Sequence, residues 1–124
     1  MVRELTNHKV NGLNNALLIT AVGQPNAGNA CCEYSIVHWQ QDLEDIPLCD
    51  IKFQDGPIDQ VGVTGISNEA LLAIVEDRLI GFQGGPFACR ENAVALTKLQ
   101  ECVMWLQKRT RDRDARGVEG THLK

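Results

Sequence analysis

At 124 residues, with 44% hydrophobic and 23% charged residues, the chain has the size and composition of one folded domain, which excludes wholesale disorder and two independent domains. Its net charge of −4 excludes a main task of coating nucleic acid, and duplex nucleic acid is not an expected partner. No stretch approaches the roughly 20 apolar residues of a membrane span, and the start Met-Val-Arg-Glu-Leu-Thr-Asn lacks the apolar core of a secretion signal; a soluble, cytoplasmic protein is expected.

Residues 1–64 read as a small antiparallel β-sheet region. Ala16 to Val22 is a short apolar run with β-branched members, closed by the turn cluster Gly23-Gln24-Pro25-Asn26-Ala27-Gly28-Asn29. Cys32 to Trp39 alternates partially, and Leu48 to Gln54 places Cys49, Ile51 and Phe53 on one face at period two. The turn-rich stretch from Asp55 to Gly65 is expected to act as a connector. Five cysteines, Cys31, Cys32, Cys49, Cys89 and Cys102, form an odd set without CxxC spacing, which suits free thiols rather than a disulfide framework. His8, His38 and Cys49 are too scattered to argue for a metal site, and no metal or cofactor is expected.

Residues 65–124 read as a helical hairpin, giving an α+β fold overall. Ser67 stands at an N-cap with Glu69 in the first turn, and the helix from about Asn68 to Gln83 carries the apolar row Leu71, Val75, Leu79 and Phe82. Gly84-Gly85-Pro86 stops it. A second helix is expected from near Phe87, with Pro86 at its first position, to about Arg116. Its seam Ala93, Leu96, Leu99, Val103 and Leu106 suits a neighbouring helix. About 30 residues of helix span roughly 45 Å, too long to shelter within so small a chain. The far end is therefore expected to project or to pair with another copy.

Charge is concentrated at that end. Residues 1–106 hold six Lys or Arg against thirteen Asp or Glu, and residues 107–124 hold six against three. At 100° per residue, Arg109, Arg113 and Arg116 share a stripe with Trp105 and Cys102, bordering the seam. Guanidinium forks in that position hold phosphate bidentately; a solvated basic helix end, paired with Asp112 and Asp114, explains the same residues. In the tail, Gly117 and Gly120 let the backbone approach an anion, with Thr121 and His122 as further donors, or they form an ordinary C-cap and frayed end. Phe82 and Asn92, either side of the Gly-Gly-Pro turn, suit stacking of a purine and reading of its edge. Packing for Phe82 and turn satisfaction for Asn92 are the alternatives. No nucleophile motif or catalytic carboxylate pair occurs, so an enzyme is not expected. A nucleotide hydrolase using Glu91, Glu101 or Glu119 is the competing class, and a helical interaction module with a basic tip is a third.

Residues 67–124 resemble the helical-hairpin domain of phage anti-defence sponge proteins. The motifs are Asn68-Glu69-Ala70-Leu71-Leu72-Ala73-Ile74-Val75-Glu76-Asp77-Arg78-Leu79 and Phe82-Gln83-Gly84-Gly85-Pro86-Phe87-Ala88-Cys89-Arg90-Glu91-Asn92. The run from Trp105 to Arg113, leading into Gly117-Val118-Glu119-Gly120-Thr121-His122, completes them. Thoeris anti-defence sponges and anti-CBASS sponges share this hairpin, and the β-rich first half is similar to the Thoeris kind. The resemblance implies sequestration, without cleavage, of a glycocyclic ADP-ribose isomer made by a TIR-domain enzyme in the infected bacterial cytoplasm. It implies a ligand buried between subunits of a homo-oligomer, a dimer or hexamer, with Phe82 stacking adenine, Asn92 reading polar edges, and Arg109 and Arg113 holding the pyrophosphate. It also implies a second pocket, for cyclic trinucleotides of CBASS, to which Arg116, Gly117, Gly120, Thr121 and His122 are assigned. A sponge chiefly for cyclic oligonucleotides is the alternative within this family.

Overall fold

The computed structural model of the protein describes residues 2–121, 123 and 124. The elements run β1 (Val2–Leu5), α1 (Gly12–Asn15), β2 (Leu17–Val22), β3 (Glu33–His38), β4 (Ile46–Lys52), α2 (Ile58–Val61), α3 (Asn68–Gln83) and α4 (Arg90–Ala115). The fold is α+β, with the sheet first and the helical hairpin last. It divides into two units: one holds the chain up to Gly56 together with Val63–Ile66, the other Pro57–Gly62 together with the chain from Ser67 onward.

The sheet is antiparallel throughout, in the order β1-β2-β3-β4. The expected runs at Leu17 and Glu33 form its centre, where Ala21 is 1% exposed and is the one fully buried apolar residue among those described. Two strand ends differ from expectation. β1 has only four residues, two of them charged, too short a pattern to register as a strand. β4 begins at Ile46 rather than Leu48, and Ile36 pairs with Cys49 while Val37 pairs with Pro47, so Leu48 is the extra residue of a bulge. Pro47 lacks a backbone N–H and is tolerated because β4 is an edge strand. The bulge breaks the expected alternation: Ile51 and Phe53 are half-buried but Cys49 is exposed. Tyr34, opposite Ile51, meets Phe53 edge-on at 5.8 Å between ring centroids.

Past β4, Phe53 and Ile66 form a parallel bridge, with Gln54 N–H donating to the Ile66 carbonyl at 2.8 Å and Ile66 N–H to that of Lys52 at 2.9 Å. Thr64 Oγ1 accepts from Asp55 N–H at 2.9 Å, and Gln54 Oε1 from Thr64 N–H at 2.8 Å. The stretch read as a connector therefore contributes to both units and contains the short helix α2. Cys32 sits beside this bridge, accepting from Asn26 Nδ2 at 3.3 Å. Burial, and then the charge of Asp55, push its thiol up from the usual range. Iodoacetamide is accordingly expected to alkylate Cys32 more slowly at neutral pH than the exposed Cys49. Peptide mass spectrometry reads the two rates, and equal rates would contradict this assignment.

In the helical unit, α3 spans the expected residues and Ser67 Oγ caps it by accepting from Ala70 N–H at 3.0 Å. Its inner face is Leu71, Leu72 and Leu79, whereas Val75 and Phe82 of the expected row are exposed. The start of α4 differs from expectation: it is Arg90, not Phe87, and Pro86 lies in the preceding turn rather than at the first helical position. Cys89 is the reason, since its sulfur accepts from Asn92 N–H at 3.4 Å and occupies the N-cap. The seam Ala93, Leu96, Leu99, Val103 and Leu106 is half-buried as expected, and it continues at the same spacing through Thr110 to Arg113. With 26 residues, α4 is about 39 Å long against about 24 Å for the 16-residue α3. At its far end the chain's own tail folds back over Arg113.

Candidate anion and purine site

Arg113 is the one buried charged residue among those described, at 6% exposed. Its guanidinium donates from Nε to Glu119 Oε2 at 3.0 Å, from Nη1 to the Leu123 carbonyl at 2.6 Å, and from Nη2 to the carbonyls of Val118 and Thr121 at 2.9 Å each. A planar cation with five donors is the one side chain that can collect so many oxygens at once. The tail is placed for this by a glycine turn. Gly117 has φ 74°, Val118 N–H returns to the Arg113 carbonyl and Gly117 N–H to that of Asp114, both at 3.0 Å, which together cap the helix C-terminus.

Gly120, with φ 81°, is held against α2. Its carbonyl accepts from Asp59 N–H at 3.1 Å, and a Cβ there would stand 2.6 Å from Ile58 Cγ2. Thr121 Oγ1 donates to the Val118 carbonyl and accepts from Leu123 N–H at 3.2 Å. Both glycines thus have backbone roles of their own, Gly117 in the C-cap turn and Gly120 against α2. His122 lies outside the described residues.

Arg109 stands differently. It is exposed on α4 and makes no salt bridge among the described residues. Asp112, which a solvated basic helix end would pair with the stripe, binds Lys108 Nζ at 2.6 Å instead. That hydrogen bond holds the Asp112 carboxyl below its usual range. Arg116, the C-cap residue, is also exposed and donates from Nη1 to the Lys124 carbonyl at 2.5 Å. The stripe is therefore divided: Arg113 faces inward, while Arg109 and Arg116 face solvent. An exposed guanidinium without a carboxylate partner remains available to a phosphate.

At the other end of the hairpin, Phe82 occupies the last turn of α3, 40% exposed, with the Arg78 guanidinium 5.6 Å from its ring centroid. Asn92, in the first turn of α4, is half-buried. The turn backbone that Asn92 was one candidate to satisfy is served by Gln83, whose Oε1 accepts from Cys89 N–H at 3.1 Å. The carboxylates of the hydrolase reading are dispersed. Glu119 is paired with Arg113, Glu101 lies 3.9 Å from Lys98, and Glu91 is in the first turn of α4. His8 Nε2–H donates to the Leu17 carbonyl at 2.6 Å, and no group of three His, Cys, Asp or Glu among the described residues is placed to hold a metal ion. None of the described helices is long and apolar enough to cross a membrane.

Sequence reasoning left out Arg78 and α2, and it named Arg113 without its inward position. Arg78 was identifiable as an i, i+4 neighbour of Phe82. The inward position of Arg113 was identifiable from the seam, since Leu99, Leu106 and Arg113 recur at seven residues. The α2 clamp gave no comparable signal.

Comparison with known proteins adds two findings. A relative from Bacillus phage SBSphiJ7, described as Thoeris anti-defense 1, is 54% identical over 77 residues, covering 62% of this chain and 54% of the relative; the match thus spans about half the length of that curated protein. The family model described as Acb2/Tad1, hairpin domain, matches residues 45–111, from just before β4 to a point short of Arg113 and the tail. With β4, the capped α3, the Gly-Gly-Pro turn and most of α4 inside that match, the chain belongs to the Acb2/Tad1 hairpin-domain family.

Proposed function

We propose that the protein captures a cyclic ADP-ribose isomer made by a TIR-domain enzyme and holds it uncleaved, blocking Thoeris defence inside the infected bacterial cell. The observation that carries this reading is that Asn92, across the Gly-Gly-Pro turn from Phe82 of α3, and the arginines proposed to meet the anion stand at opposite ends of α4. At about 1.5 Å of rise per residue, Asn92 and Arg109 lie roughly 25 Å apart on α4, far more than a cyclised ADP-ribose can bridge. Phe82 and Asn92 of one protomer therefore complete a pocket with Arg109 and Arg113 of a second, and a two-fold axis makes two identical pockets.

Two observations support assembly. Ala21 is the only buried apolar residue among those described, and Ile74, Ile80, Phe87, Met104 and Trp105 are exposed on the hairpin, area that a homo-oligomer would cover. Dimers are the pocket-forming unit, and a hexamer is their higher assembly. In the pocket Phe82 stacks the adenine, Asn92 reads polar edges, and Arg109 meets the pyrophosphate first. Arg113 joins by exchanging tail carbonyls for phosphate oxygens, so that capture and tail rearrangement are coupled. The name of the phage relative supports the target.

The test of sequestration is release. Protein loaded with glycocyclic ADP-ribose and then heat-denatured should return a supernatant that activates the Thoeris effector; inactive products alone would replace the sponge by an enzyme. Arg109→Ala and Phe82→Ala should each weaken capture by about ten- to a hundredfold, the cost of roughly 1.5 to 3 kcal/mol for a lost charged or stacking contact. Calorimetry on folded variants checks this, and unchanged affinity in both would refute the pocket. A second pocket for cyclic trinucleotides at Arg116, Gly117, Gly120, Thr121 and His122 belongs to the same proposal, favoured by the exposed Arg116. Protein saturated with the ADP-ribose isomer should still bind a cyclic trinucleotide, and full competition would remove this second pocket.

A further inference from the structure

We propose that Arg78 is a positioning residue for the purine site, acting through the ring of Phe82; the inference rests on the reading of Phe82 as the stacking surface. The two residues are one turn apart on the same face of α3, and the guanidinium carbon lies 5.6 Å from the ring centroid. That is within the range of a cation–π contact. Arg78 makes no salt bridge among the described residues, so no carboxylate draws it from the ring.

The need for such a residue follows from where Phe82 stands. It is in the last turn of α3, 40% exposed, and the neighbouring Gly81, Gly84 and Gly85 have no side chains to pack against it. An exposed phenyl group left alone hops between rotamers on the picosecond-to-nanosecond scale. Every rotamer given up on ligand capture subtracts from affinity. A guanidinium lying against one face removes that freedom beforehand and leaves the opposite face for the base. The bound state is then a three-layer stack of guanidinium, phenyl ring and purine, with the cation polarising the ring from behind. Lysine at 78 would keep the charge but lose the planar group, and methionine would keep only an apolar stem.

The experiment is a double-mutant cycle read by calorimetry with glycocyclic ADP-ribose on the 124-residue chain, with circular dichroism confirming that each variant is folded. Arg78→Met should weaken binding about two- to fivefold, the range of an exposed cation–π contact, and Arg78→Lys should restore part of it. In the Phe82→Leu background, Arg78→Met should have no further effect, because the ring through which it acts is gone. If Phe82→Leu weakens binding but Arg78→Met does not, or if the Arg78→Met loss persists undiminished without the ring, the positioning role is overturned while the purine site stands. If Phe82→Leu itself leaves affinity unchanged, the underlying reading of the site fails, and this inference with it.

Discussion

Gly65→Ala should destabilise the sheet unit by about 3 kcal/mol or more, the upper range for forcing atoms into packed space. A Cβ at this position would stand 2.5 Å from the Lys52 carbonyl oxygen and from Phe53 C, and 2.6 Å from the Phe53 carbonyl oxygen. All three are backbone atoms, so no rotamer change relieves the clash. The backbone must part instead, and the bonds that flank Gly65, from Gln54 to Ile66 and from Ile66 to Lys52, are the first affected. Thermal unfolding followed by circular dichroism should fall by roughly 12 to 24 °C, at about 4 to 8 °C per kcal/mol for a unit of this size. Gly12→Ala is the matched control, since nothing lies within 4 Å of its Cβ and it begins α1. It should leave the melting temperature unchanged or slightly raised. Equal melting of the Gly65 variant and the wild type would show that the close approach is not needed.

Arg113→Ala should cost about 1.5 to 3 kcal/mol, the range for losing hydrogen bonds to a charged group, since the Glu119 it leaves behind is exposed. Three tail carbonyls and the Glu119 carboxylate lose their common donor. Arg113→Lys should recover little, because a point ammonium cannot span oxygens distributed around a planar fork. Hydrogen exchange offers the local reading. The Thr121 amide, bonded to the Val118 carbonyl at 3.2 Å, should lose protection in both variants, whereas Leu96 and Leu99 amides in the middle of α4 should keep theirs. Protection of Thr121 equal to wild type would mean that the tail folds without its arginine.

Much of this was legible in the sequence because it depended on local patterns. The Ser67 cap, the length of α3, the α4 seam and the central strands rest on period and turn chemistry, which a single stretch of chain carries within itself. The start of α4 is not legible because cysteine is a weak N-cap, so that Pro86 offers the stronger start signal. β1 and the bulge at Leu48 depend on what lies across the sheet, and α2 on what packs against Ile58. Of the candidate site, Arg109 stands where helix geometry puts it, whereas Phe82, the end of the expected apolar row, is exposed. The division of labour within the arginine stripe was not legible from angular spacing alone, since Arg113 lies close in angle to Arg109 yet falls on the seam covered by a tail with no period of its own.

In the proposed pocket, the separation of Asn92 and Arg109 along α4 would govern the size of molecule admitted. If two copies lie antiparallel, the gap between purine clamp and anion clamp is set by how far the shared helices overlap, so α4 serves as the spacer of a calliper. The two jaws of such a pair would belong to different molecules, and its opening would be written in the number of residues between them. One residue added there would turn the second jaw by about 100° and spoil the grip, whereas seven would return it nearly to the same face with the opening changed by roughly 10 Å. Ligand size in this family would then be tuned by helix length and register as much as by the residues that touch the ligand.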